Sequence, residues 1–250
     1  MKNETLKRIL SSLILIPIVF FFIIKGSFFF IFFLGVFFLF ASYEWIKMSK
    51  NQFKFIGILY LLFCSYLALV LRERGVDFLF FVILICIFTD IGGYVFGKLF
   101  KGPKLIKISP NKTYAGMIGS FILSIIVGLL FTHIVINYIY LNTNFPNSYF
   151  QYFGGTAHYL NLNDFWLLIF IFLISAVSQI GDLIISYFKR LAKIKNTGNI
   201  IPGHGGLLDR VDGIIFAIPI AVIFDNFSDC YIFKLFCSGS GLLDFVLINF

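Results

Sequence analysis

The 250-residue sequence is 60% hydrophobic and 13% charged, with 36 phenylalanines and a net charge of +8. A soluble domain of this length cannot bury so much apolar surface, which excludes an ordinary water-soluble protein. The excess of lysine, which would suit nucleic acid on a soluble chain, is read here as topogenic charge in cytoplasmic loops, with no nucleic-acid partner.

Charge-poor runs long enough to cross a bilayer fall, in chain order, at 9–24, 27–46, 55–71, 78–97, 116–140, 165–188 and 207–224. The first follows Lys7 and Arg8 as a signal peptide would. No small-residue cleavage site follows it, so it is expected to stay as a helix. An apolar tail, 230–250, is broken by Lys234 and Asp244 and is an imperfect eighth span or an interfacial segment. The pattern predicts an all-α, polytopic integral membrane protein with about seven to eight transmembrane helices. Residues 1–225 form one membrane domain and 226–250 a C-terminal apolar extension. Cys64, Cys86, Cys230 and Cys237 show no CxxC pairing, so neither a disulfide nor a zinc site is expected.

Basic residues alternate between loops. Lys2, Lys7 and Arg8 precede span one; Lys47, Lys50 and Lys54 follow span two. Lys98, Lys101, Lys104, Lys107 and Lys112 follow span four; Lys189, Arg190, Lys193, Lys195 and Arg210 follow span six. Sixteen of the 20 basic residues thus share one side. The positive-inside rule places that side, with the N-terminus, in the cytoplasm.

The 12 acidic residues are informative because they are few. Asp90 and Asp182 lie roughly 10–12 Å inside the cytoplasmic boundary at the helical rise per residue. Asp209 and Asp212 enter from the same side, three apart and therefore on one helix face. A charge at the bilayer centre costs about 2.5–3.5 kcal/mol on insertion scales, so such residues are functional candidates. Ser175, Ser178, Asp182, Ser186 and Lys189 form a polar stripe on span six, which faces protein or water and serves either a site or a hydrogen-bonded seam. Asp182, Asp209 and Asp212 are candidate metal ligands. An oxygen donor set favours Mg²⁺, Mn²⁺ or Ca²⁺ over zinc, and Mg²⁺ commonly shares its shell with substrate phosphates. Lys189, Arg190, Lys195 and Arg210 could neutralise phosphate oxygens. In "PGHGG", 202–206, the glycines around His204, with Gly205 and Gly206 nearest the next helix, would admit phosphate close to backbone N–H groups. Ser109, Lys112 and Thr113 in the other basic loop could hold phosphate or an anionic headgroup.

The stretch "SYFKRLAKIKNTGNIIPGHGGLLDRVD", 186–212, closely resembles the signature of phosphatidate cytidylyltransferases: S-x-x-K-R, K-D-x-G, then P-x-H-G-G-x-x-D-R-x-D. Ser186, Lys189, Arg190, Lys195, Gly198, Pro202, His204, Gly205, Gly206, Asp209, Arg210 and Asp212 fall in register. "DIGGYVFGKLF" through "SPNKTYAG", 90–116, is similar to a second family block, and "YEW", 43–45, is a weaker match. The resemblance covers the chain to about residue 225. Asn196 replaces the signature Asp, Ala115 a frequent Glu or Gln, and Gly93 a frequent Ala. The resemblance implies transfer of a cytidylyl group from CTP to phosphatidate at the membrane surface. It also implies a Mg²⁺ site at Asp182, Asp209 and Asp212, and leaves a second cation and a homodimer open. The catalytic set expected from residues and resemblance together is Asp182, Lys189, Arg190, Asp209, Arg210 and Asp212. The expected substrate contacts are Ser109, Lys112, Thr113, Ser186, Lys195, His204, Gly205 and Gly206.

Three other classes compete with this reading. A transporter or channel predicts acids near the midplane and a polar path across the membrane. A CDP-alcohol phosphatidyltransferase needs a D-G-x-x-A-R pattern that this chain lacks. An inactive scaffold of the cytidylyltransferase type is the third alternative, because of Asn196 and Ala115.

Overall fold

The computed structural model describes residues 17–106, 109–142, 162–198, 200 and 205–227. Helix α1 is described over 17–25. It is followed by α2 (Ser27–Met48), α3 (Asn51–Arg74), α4 (Val76–Phe100), β1 (Lys104–Ile106), β2 (Ser109–Thr113), α5 (Tyr114–Asn142), α6 (Leu162–Leu191) and α7 (Leu208–Phe227). Spans two to seven of the sequence reading match α2 to α7. Helices α2 to α6 are each long and apolar enough to cross a membrane. Helix α7 is more polar, carrying Asp209, Arg210, Asp212 and Asp225. The tail 230–250, with Cys230 and Cys237, lies outside the described residues. Cys64 and Cys86 are buried free thiols.

The breaks between helices have local causes. Gly26 adopts a positive φ of 57°. The Arg72 guanidinium packs where a Cβ on Gly26 would stand. From there Arg72 donates to the carbonyls of Ile23 (3.0 Å) and Ile24 (3.3 Å), satisfying the open end of α1. Helix α6 ends where Lys193 turns left-handed: Ile194 N–H reaches Lys189 O and Lys193 N–H reaches Arg190 O, both at 3.0 Å. The basic segment after α4, read from sequence as a loop, contains an antiparallel hairpin pairing Lys104 with Thr113 and Ile106 with Ser109. It is a small exception to the all-α architecture.

Packing tightens where side chains are absent. A Cβ on Gly92 of α4 would lie 2.6 Å from Gly119 O of α5, and one on Gly116 would lie 2.7 Å from Gly93 O. This small-residue seam lets the two backbones touch. Thr89 ties three helices together. It accepts from Ser120 Oγ at its carbonyl (2.7 Å), and its Oγ1 donates toward Ser175 Oγ (2.9 Å). Away from this seam the bundle is filled by the rings of Phe78, Phe81, Phe131 and Phe170, stacked at centroid distances of 5.6–6.0 Å.

Pro219 lies inside α7 and lacks the N–H that Ile215 O would accept. Helix α3 supplies substitutes. Cys64 Sγ–H donates to Ile215 O at 3.2 Å and Tyr60 Oη–H at 3.4 Å. Cys64→Ala should therefore cost about 1 kcal/mol in detergent unfolding. In a Pro219→Ala background the helix recovers its own donor, and that cost should shrink. An equal cost in both backgrounds would refute the account.

Candidate active site

Four segments meet at the end of the bundle where the basic loops lie. Helix α4 brings Asp90, α6 brings Asp182 and α7 brings Asp212. The Asp182 carboxyl lies near enough to Asp90 and Asp212 to interact electrostatically with both. The crowding has a cause in packing. A Cβ on Gly181 would meet Asp212 O at 2.8 Å, and one on Gly213 would lie 3.3 Å from Asp182 Oδ1. Only at a glycine crossing can α6 and α7 come this close. Lys112, leaving the hairpin, donates to Asp182 Oδ2 at 3.1 Å. Among the described residues, no donor meets the buried Asp182 Oδ1.

A second cluster lies beside the first. Asp209 Oδ1 accepts from Lys189 Nζ at 2.8 Å. Its Oδ2 accepts from Thr197 N–H (2.9 Å) and Gly206 N–H (3.1 Å). The stripe on α6 therefore serves two purposes. Its upper part, Ser175, is fully buried in the seam with Thr89; its lower part, Asp182 and Lys189, reaches the charged clusters. Ser186 is half-buried between them on the same helix.

The residues expected from sequence divide accordingly. Asp182, Asp212 and Lys112 converge with Asp90, which was noted only for its depth. Asp209 and Lys189 form an ion pair within the second cluster. Arg190, Lys195 and Arg210 are exposed, and Thr113 is half-buried, its Oγ1 accepting from Gly116 N–H at 3.1 Å. Gly205 adopts φ 95°, and Gly206 gives its amide to Asp209. His204 and the Ser109 side chain lie outside the described residues. Sequence reasoning missed Glu44. This carboxylate of α2 is 1% exposed and accepts from Thr197 Oγ1 (2.8 Å), Leu207 N–H (2.9 Å) and Leu208 N–H (2.9 Å). The "YEW" match was the only signal for it.

The donor set can be tested against Mg²⁺. Among the described residues no three Asp, Glu, His or Cys side chains stand close enough to form a finished metal cage. Mg²⁺ needs less: one or two carboxylates, with water and phosphate completing the shell. Asp182, with its buried oxygen lacking a donor, and the adjacent Asp212 meet that requirement.

A cytidylyltransferase family model matches residues 6–75 and 54–228. The chain belongs to the cytidylyltransferase family. Phosphatidate cytidylyltransferases of Staphylococcus haemolyticus and Staphylococcus aureus (strain COL) are each 34% identical over 181 residues, and that of Staphylococcus saprophyticus 35% over 182. Each alignment covers 69% of this chain and 61% of the relative. The chain thus spans about three fifths of the curated relatives it matches. The matched region of this cytidylyltransferase family member contains every acidic and basic residue of both clusters.

Proposed function

We propose that this chain transfers the cytidylyl group of CTP to phosphatidate, giving CDP-diacylglycerol and pyrophosphate. The carrying observation is the convergence of Asp90, Asp182, Asp212 and Lys112 at one end of an apolar bundle, in a chain of the cytidylyltransferase family. The relatives' names supply the substrates. A phosphatidate oxygen attacks the α-phosphorus of CTP, and the bond to the β-phosphate breaks. The lipid carries its own nucleophile, so no Ser or Cys nucleophile is required. The work left to the protein is alignment and charge stabilisation.

Asp182 and Asp212 would hold Mg²⁺, which supplies neutralisation of phosphate oxygens when bound. The exposed Arg190, Lys195 and Arg210 would meet the phosphates of CTP. Lys112 and Lys189 hold Asp182 and Asp209 in place and add positive charge beneath them. The position of the clusters suits a cytoplasm-facing site, where water-borne nucleotide reaches a lipid headgroup. A transporter would need a polar path, and stacked phenylalanines occupy the bundle beyond Thr89.

The test uses membranes carrying the full chain, from a host depleted of its own synthase, with radiolabelled CTP, phosphatidate and Mg²⁺. Label should enter lipid only when phosphatidate and Mg²⁺ are both present. Well-expressed protein giving no lipid label would overturn the proposal. Asn196 is exposed beside Gly205, whose Cβ would lie 3.2 Å from the Asn196 amide carbon. Asn196→Asp adds the anion of the family signature next to the glycine loop. It should raise turnover at least about twofold or lower the half-saturating Mg²⁺ concentration. Unchanged values of both would show the position to be insensitive.

A further inference from the structure

We infer that Glu44 is a positioning residue for the transfer reaction, locking both ends of the glycine loop to α2 so that α7 starts at a fixed point. The inference rests on the proposed cytidylyl transfer. Glu44 touches no member of the Asp90–Asp182–Asp212 cluster in the contacts described above. Its partners lie instead on the two flanks of the loop, Thr197 on one side and Leu207 and Leu208 on the other. A buried carboxylate is costly unless its oxygens are met by donors, and here three donors meet them.

The surrounding glycines exist to admit it. A Cβ on Gly198 would lie 2.6 Å from Glu44 Oε1. One on Gly206 would overlap Thr197 Oγ1 and press on Oε2. Thr197 links the two anchors, its hydroxyl donating to Glu44 and its N–H to Asp209. Glu44 and Asp209 together satisfy the amides of Gly206, Leu207 and Leu208 at the start of α7, and their negative charge suits the positive end of that helix. These amides are consequently committed to the fold and not to substrate phosphate. Asp212 lies one turn further along α7, so a loosened start would misplace it relative to Asp182.

Glu44→Gln keeps the shape but turns one oxygen into an NH₂ group facing donors. Thr197→Val removes the linking hydroxyl at constant shape, and Thr197→Ser restores it. Each full-length variant would be purified in detergent. Then kcat, KM for CTP and the half-saturating Mg²⁺ concentration would be measured per folded molecule, with the thermal midpoint alongside. Glu44→Gln should lower kcat by about tenfold or more and raise the Mg²⁺ requirement, while KM for CTP stays within about threefold. Thr197→Val should move the same quantities in the same direction, and Thr197→Ser should return them to within about twofold. Where Glu44→Gln fails to fold, the Thr197 pair decides. Wild-type kcat and Mg²⁺ dependence in Thr197→Val, or in folded Glu44→Gln, would overturn the inference. An inactive wild-type protein would overturn the proposed reaction, and the inference with it.

Discussion

Asp182→Asn and Asp212→Asn should each lower cytidylyl transfer by about 100-fold or more, equivalent to roughly 2.7 kcal/mol of transition-state stabilisation. Neither should lower the thermal midpoint of the protein. Three carboxyl groups crowd together here with Lys112 as the cation bonded to Asp182. Removing one negative charge relieves repulsion, so the fold gains while the reaction loses. The pair of variants separates two explanations. Asp182→Asn also breaks the ion pair with Lys112, whereas Asp212→Asn leaves it intact. If Asp182 mattered only as a partner for Lys112, Asp212→Asn would stay active. Lipid labelling across a Mg²⁺ titration, with thermal unfolding alongside, provides the measurement. Retention of activity within threefold in both variants would remove the carboxylates from the mechanism.

The helices were legible in the sequence because lipid allows few alternatives. Each span must satisfy its own backbone groups, so length and charge-poverty locate it. The charged end of the bundle was legible for the same reason: a carboxylate within an apolar run stands out. The partners of those carboxylates were not. Lys112 and Asp182 are 70 residues apart, and Glu44 lies 153–164 residues from the groups it holds. Helical spacing carries no information about contacts of that kind. Asp209 shows the consequence. Its spacing from Asp212 suggested two equivalent ligands on one face, yet its two oxygens meet Lys189, Thr197 and Gly206, while Asp212 faces Asp182. The hairpin at 104–113 escaped for another reason. Its lysines and Pro110 lack the alternation that identifies a strand, and its pairing joins residues nine apart, Lys104 with Thr113.

The same Gly→Ala change should have opposite effects at two helix positions. At Gly35 nothing lies within 4 Å of an added Cβ, so alanine relieves the helix of glycine's flexibility and should stabilise by up to about 1 kcal/mol. At Gly92 the added carbon would lie 2.6 Å from Gly119 O and 2.9 Å from Ser120 Cα. Both neighbours are backbone, so neither can rotate away and the helices must separate. Overpacking of this kind costs about 1–3 kcal/mol. Separation also strains the Ser120–Thr89 and Thr89–Ser175 bonds, adding about 1–3 kcal/mol for any buried group left without a partner. The damage extends to chemistry, because Asp90 follows Thr89 directly and Lys112 stands just before α5. Gly92→Ala should therefore lower both the thermal midpoint and cytidylyl transfer, while Gly35→Ala should leave transfer unchanged and raise the midpoint. Equal behaviour of the two variants would mean that the α4–α5 seam does not set the spacing of the charged cluster.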